Sequence, residues 1–127
     1  VAGSCATSDY KVKTTAGGSP SVASLNSSVF DGGSPDGVTL NSIMWKGNLN
    51  GGTVQFQIAS ANNSGGPWIF VGPDGAMTSF YQPNPDVFTE LKGHINKRYF
   101  RYKVILKTDN WQTFSPKVDD VIINYSP

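Results

Sequence analysis

Apolar and polar residues alternate over several short stretches of the chain. From Thr53 to Ser60, Val54, Phe56 and Ile58 fall on one side and Gln55 and Gln57 on the other. A repeat of two is the period of a half-buried β-strand. Arg98 to Lys107 shows the same pattern over a longer span. Phe100, Tyr102, Val104 and Leu106 share one face; Arg101, Lys103 and Lys107 share the other, with Ile105 the exception. In Val118 to Tyr125, Val121, Ile123 and Tyr125 share a face. Leu40 to Lys46, Trp68 to Val71 and Met77 to Tyr81 are shorter expected strands, and Ser21 to Phe30 is a weaker one. No window carries helical periodicity with caps.

Fourteen Gly and eight Pro interrupt these runs at turn spacing. Asn48-Leu-Asn-Gly-Gly52, Asn62-Asn-Ser-Gly-Gly-Pro67 and Pro73-Asp-Gly75 each read as a hairpin connection. Asp31 to Gly37 reads as a longer loop, and Pro83-Asn-Pro85 with the stretch to Gly93 as a crossing between sheets. Short strands recurring about every 8–12 residues predict an all-β fold. The expected form is an antiparallel β-sandwich of jelly-roll type over residues 21–127. Residues 1–20 hold few apolar positions, so they are expected to be a tail or an edge strand in need of a partner.

Composition narrows the classes of function. At 127 residues the chain is one domain. Charged residues are 15% of it, against about 25% in an average domain. Neutral Ser, Thr, Asn and Gly must therefore make up the surface, which suggests an extracellular setting. A net charge of +1 gives no strong field for nucleic acid or an anionic membrane. No apolar run approaches the roughly 18 residues that span a bilayer, so no membrane insertion is expected. No charged and apolar leader of a signal peptide is visible at the start. One Cys and one His exclude an internal disulfide and a Cys/His zinc site within a single chain. Cys5 reads as a free thiol or one half of an intermolecular bridge. Asn26-Ser-Ser, Asn62-Asn-Ser and Asn124-Tyr-Ser fit the N-glycosylation pattern.

Four segments together resemble a known family: Val54-Gln-Phe-Gln-Ile-Ala-Ser60, Gly66-Pro-Trp-Ile-Phe-Val-Gly72, Arg98-Tyr-Phe-Arg-Tyr-Lys-Val104 and Val118-Asp-Asp-Val-Ile-Ile-Asn-Tyr125. Their order is similar to that in galactose-binding-like (discoidin-like) jelly rolls. The stretch from Leu40 to Pro127 also resembles exposed β-rich domains of bacterial surface and prepilin-like proteins. The resemblance implies a bacterial, cell-surface or extracellular protein, with Trp68 packed inward. The cysteine pair that clamps many discoidin-like domains is absent, as is the apolar helix that drives pilin assembly.

Catalytic constellations are not apparent. Glu90 and eight Asp are the carboxylates. Asp31, Asp36, Asp74, Asp86 and Asp109 occupy turn sequences, where Asp bonds its own backbone. Asp119 and Asp120 are neighbours on a strand and point apart. His94 has no nucleophile in a recognised motif, so no enzyme is expected. No organic cofactor is implied; a structural calcium ion held by Asp31, Asp36 and Asp74 is a candidate. Sugar rings stack on exposed aromatics beside polar groups. Trp111, flanked by Asp109 and Asn110, is one expected platform, and Phe80 with Tyr81 a second. Trp45 is expected in the core. The basic strand face of Arg101, Lys103 and Lys107 has no matching aromatic platform in sequence and reads as a solvated surface. Asp9 to Thr15 alternates without a core of its own, and Tyr10, Val12 and Thr14 make it a candidate assembly strand. The function expected is a non-enzymatic structural subunit of a surface appendage or filament, binding itself or other surface proteins. The alternative is a carbohydrate-binding module.

Overall fold

The computed structural model describes residues 10–11 (backbone alone), 21–108 and 114–127. Eight strands make it up: β1 (Tyr10–Lys11), β2 (Val22–Asn26), β3 (Phe30–Asp31), β4 (Thr39–Asn48), β5 (Thr53–Ala61), β6 (Thr89–Glu90), β7 (Tyr99–Lys107) and β8 (Lys117–Ser126). Every pairing is antiparallel, and no helix occurs among the described residues. One sheet runs β1-β8-β4-β6. In the other, β7 is central, with β5 along one edge and β2 then β3 along the opposite edge. The fold is an all-β sandwich.

No ladder joins two consecutive strands. This corrects the expectation of hairpins. Asn48 to Gly52 links β4 to β5, which lie in different sheets, so it is an arch over the end of the sandwich. Its tightness is local chemistry. The Asn48 side chain accepts from the Asn50 N–H, and Asn50 has a φ of 48°, a left-handed conformation that Asn tolerates. Turn residues specify a reversal; which strand the chain then meets is decided by where the apolar faces are buried.

Trp68 to Val71 and Met77 to Tyr81 are not strands. Each touches β5 at a single bridge, Ile58 with Val71 and Phe56 with Tyr81. The eight-residue jump in register between the two bridges lets residues 72–80 loop out and rejoin the same edge. The Pro73–Gly75 turn is the tip of that excursion, closed by the Gly75 N–H to the Gly72 carbonyl. The stretch after Pro83 then crosses to the other sheet, as expected, and reaches β6 beside β4.

The core lies between the sheets. Ile43 and Trp45 from β4, and Val118, Val121 and Ile123 from β8, meet Val54, Phe56 and Ile58 from β5 and the alternating residues of β7. Two bulges set the phase. Pairing skips Asn41 in β4 and Asp119 in β8. Strict alternation would turn Leu40 and Val118 outward relative to Ile43 and Val121; the extra residue brings all four inside. Each large side chain so buried contributes about 1.5–3 kcal/mol. Trp45 is fully buried, and its indole N–H donates to the Pro83 carbonyl at 2.8 Å.

Candidate functional site

The chain after β5 turns and folds back along that strand, meeting it at Val71 and Tyr81. At Asn62–Gly66 the Asn63 side-chain oxygen accepts from the Gly65 N–H and the Asn63 carbonyl from the Gly66 N–H. Gly66 has a φ of 92°, and a Cβ there would stand 2.9 Å from the Trp68 backbone nitrogen and 3.0 Å from its indole Cδ1. Only glycine lets Trp68 lie this close. Trp68 does not enter the core, contrary to what the resemblance implies. It is half-buried on the outer face of the β5–β7 sheet, with the Arg101 guanidinium 5.6 Å from its ring centroid. Phe70 extends this cover, with Lys103 Nζ 4.9 Å from its ring. The Arg101 Nε and Nη2 both donate to the Ser27 carbonyl, at 2.9 and 2.8 Å.

The basic face of β7 therefore does carry aromatic partners, and they come from the irregular segment. Arg101 and Lys103 hold the excursion against the sheet by cation–π contact. Arg98 is bound too, donating Nε and Nη2 to the two oxygens of Asp31 at 2.8 and 3.0 Å.

Beside this clamp lies an open pocket of about 380 Å³. Ser60, Asn62, Asn63 and Lys97 supply its polar groups; Ala61, Pro67 and Ile69 form an apolar wall. Ile69 is 58% exposed. Ser60 Oγ lies 2.8 Å from His94 Nδ1. His94 is 6% exposed, and its Nε2 is buried without a hydrogen-bond partner among the described residues. Burial pushes the imidazole pKa below its ordinary value, so the ring is neutral near pH 7. The bond runs from the Nδ1–H to Ser60 Oγ in one neutral tautomer and from the Ser60 hydroxyl to Nδ1 in the other. In either one Ser60 keeps hydrogen-bonding capacity toward the pocket that it lines. In a hydrolytic triad, by contrast, the serine bonds Nε2 and a carboxylate orients Nδ1. No carboxylate bonds His94 among the described residues.

The residues singled out in sequence fall elsewhere. Tyr81 is 1% exposed, and its hydroxyl accepts from the Lys92 N–H, so it is a core residue and not a stacking platform. Burial raises its pKa. Phe80, next to it, points out and is 38% exposed. Asp31 spends its oxygens on Arg98 and the Gly33 N–H, which hold its carboxyl below the usual range. Asp74 accepts from Ser79 and from the Ala76 N–H within its own turn, and these lower its pKa. Asp36 is exposed in the loop before β4. No cluster of three metal-ligating side chains occurs among the described residues, so Asp31, Asp36 and Asp74 are not brought together as a calcium site. Tyr10 pairs with Val118 at the outer edge of β8. Val12, Thr14, Asp109, Asn110 and Trp111 lie outside the described residues, as does Cys5. Asn26, Asn62 and Asn124 of the three sequons are all exposed.

The pocket itself was not foreseen. Ser60 and His94 are 34 residues apart, and no local pattern links them. The turn Asn62 to Pro67 was the available signal, and turn chemistry alone explains those residues. Comparison with family models, with curated proteins and with solved structures finds no match. The likeness to discoidin-like domains gains no support from these comparisons.

Proposed function

We propose that the chain is a non-enzymatic structural subunit, working outside the cell, that associates with copies of itself along one side of the sandwich. The observation that carries this reading is the outer edge of β8. Among the described residues, only Tyr10 and Lys11 pair there, opposite Val118 and Lys117. From Asp119 to Ser126 that edge has no partner strand among them. A row of unpaired backbone N–H and C=O groups is a template for another strand.

The other sheet also ends in a strand with no further partner among the described residues. β2 is its edge strand, and Val22 and Leu25 on it are 60% and 40% exposed. Leu25 pairs with core residue Val104, so it belongs to the inward face and is nonetheless left uncovered. A second copy supplies both what the edge lacks and what Leu25 lacks: backbone partners and apolar cover. The neutral, Ser/Asn/Gly-rich surface supports the extracellular setting.

Sedimentation and negative-stain electron microscopy over a range of concentrations test this. The expected result is concentration-dependent association, with regular filaments where successive contacts propagate and closed pairs where they do not. The variant V22K changes a side chain that is 60% exposed and opposite Lys107, so it should remain folded and weaken association. A chain that stays monomeric at the highest soluble concentration overturns the proposal.

A further inference from the structure

We infer that the pocket at the end of β5 is a binding site for a saccharide that carries a carboxylate. This inference is independent of self-association, since no residue lining the pocket belongs to β1, β2 or β8.

The lining offers several hydrogen-bond donors. The Asn63 side-chain oxygen accepts from the Gly65 N–H, and its amide NH₂ can donate into the pocket. Ser60, bonded to His94, lines the pocket with its hydroxyl. Lys97 brings an ammonium that makes no ion pair or hydrogen bond among the described residues. Its neighbour Arg98 is paired, as are Lys46 and Lys117. No Asp or Glu lines the pocket. A cavity with donors, one uncompensated cation and no anion complements a ligand with acceptor oxygens and a single negative charge.

The apolar wall decides the rest of the chemistry. Ala61, Pro67 and Ile69 stand beside these donors. A pyranose ring has an apolar C–H face and an edge of hydroxyls, so it meets both surfaces together. A bare anion would leave the wall unused. The volume suits one or two sugar rings, being in the range of about 300–1,000 Å³ typical of ligand sites. A uronic acid residue, free or within a polysaccharide, combines all three requirements.

The test is titration of the isotope-labelled chain with glucuronate, followed by amide chemical shifts, with glucose and acetate titrated in parallel. Glucuronate is expected to move the resonances of residues 60–69 and of Lys97, more strongly than either control. Lys97→Gln alters an exposed side chain that holds nothing else, so the fold should persist. It should weaken glucuronate binding about tenfold, the loss of one charged hydrogen bond, and leave the weak binding of glucose unchanged. Ser60→Ala should weaken it less. Acetate binding as well as glucuronate would overturn the saccharide assignment in favour of a simple anion site. Glucose binding as well as glucuronate would overturn the role of Lys97. Absence of any shift in residues 60–69 at saturating glucuronate would overturn the site itself.

Discussion

The two long sides of the sandwich solve the problem of a sheet edge in opposite ways. On one side, the excursion from Asn62 to Tyr81 covers β5. Val71 and Tyr81 each bond its edge twice, at 2.8 to 3.0 Å, and Trp68 and Phe70 lie on its outer face. β5 is consequently buried on both faces, with Gln57 and Ala59 as inaccessible as Phe56 and Ile58. On the other side β8 keeps its outer face half-exposed, and among the described residues only Tyr10 and Lys11 pair along its outer edge. An edge can be closed by irregular chain as well as by a strand, provided the backbone groups and the outer face both find partners. The closed side is where the pocket forms.

The largest contrast is expected in stability. Phe56→Ala removes a fully buried ring that packs edge-on against Tyr102 at 6.3 Å. It should cost about 3–5 kcal/mol in urea unfolding. Ile122→Ala, on the half-exposed outer face of β8, should cost under about 1 kcal/mol. Equal losses would mean that β8 is as covered as β5 and would remove the comparison.

Gln57 sharpens it. Its side-chain Nε2 donates to the carbonyls of Met77 and Ser79, both at 2.9 Å. The residue is 3% exposed, so this amide ties the middle of the excursion to the closed side between its two backbone bridges. Gln57→Ala strands two carbonyls and should cost about 1–3 kcal/mol. Hydrogen exchange should accelerate at residues 72–81 and stay unchanged across the β4–β8 ladder. A uniform acceleration would show instead that the excursion folds and unfolds with the whole core.

What the sequence made legible follows from the same division. The four long strands, β4, β5, β7 and β8, lie where alternation placed them, because each has one face in a shared core and polar or half-covered residues on the other. Their partners were not legible. Turn residues at Asn48 to Gly52 are the same in an arch as in a hairpin, and long-range burial chose the arch. Trp68, Phe70 and Tyr81 look like strand residues because they are apolar and closely spaced, yet they serve three surfaces: Arg101, Lys103 and the core. The Ser60–His94 pair was invisible because nothing near His94 in sequence distinguishes a hydrogen-bonded histidine from an exposed one.

The smallest expected effect comes from that histidine. Burial lowers the folded pKa of His94 below its ordinary value near 6.5. The unfolded chain therefore binds more protons than the folded one between the two values, and stability rises with pH through that window. The contribution is fully present above about pH 6.5 and is lost as the pH falls toward the folded value. Its slope has a ceiling of about 1.4 kcal/mol per pH unit, the value for one proton. Asp31 and Asp74 have lowered pKa values and contribute in the same direction, but only at more acidic pH. Urea midpoints measured from pH 7.5 down to 5.5 would isolate the histidine by comparison with His94→Gln, which removes the titrating group. The variant should lose the slope in this range. A slope that survives the substitution would place the responsible proton elsewhere than on His94.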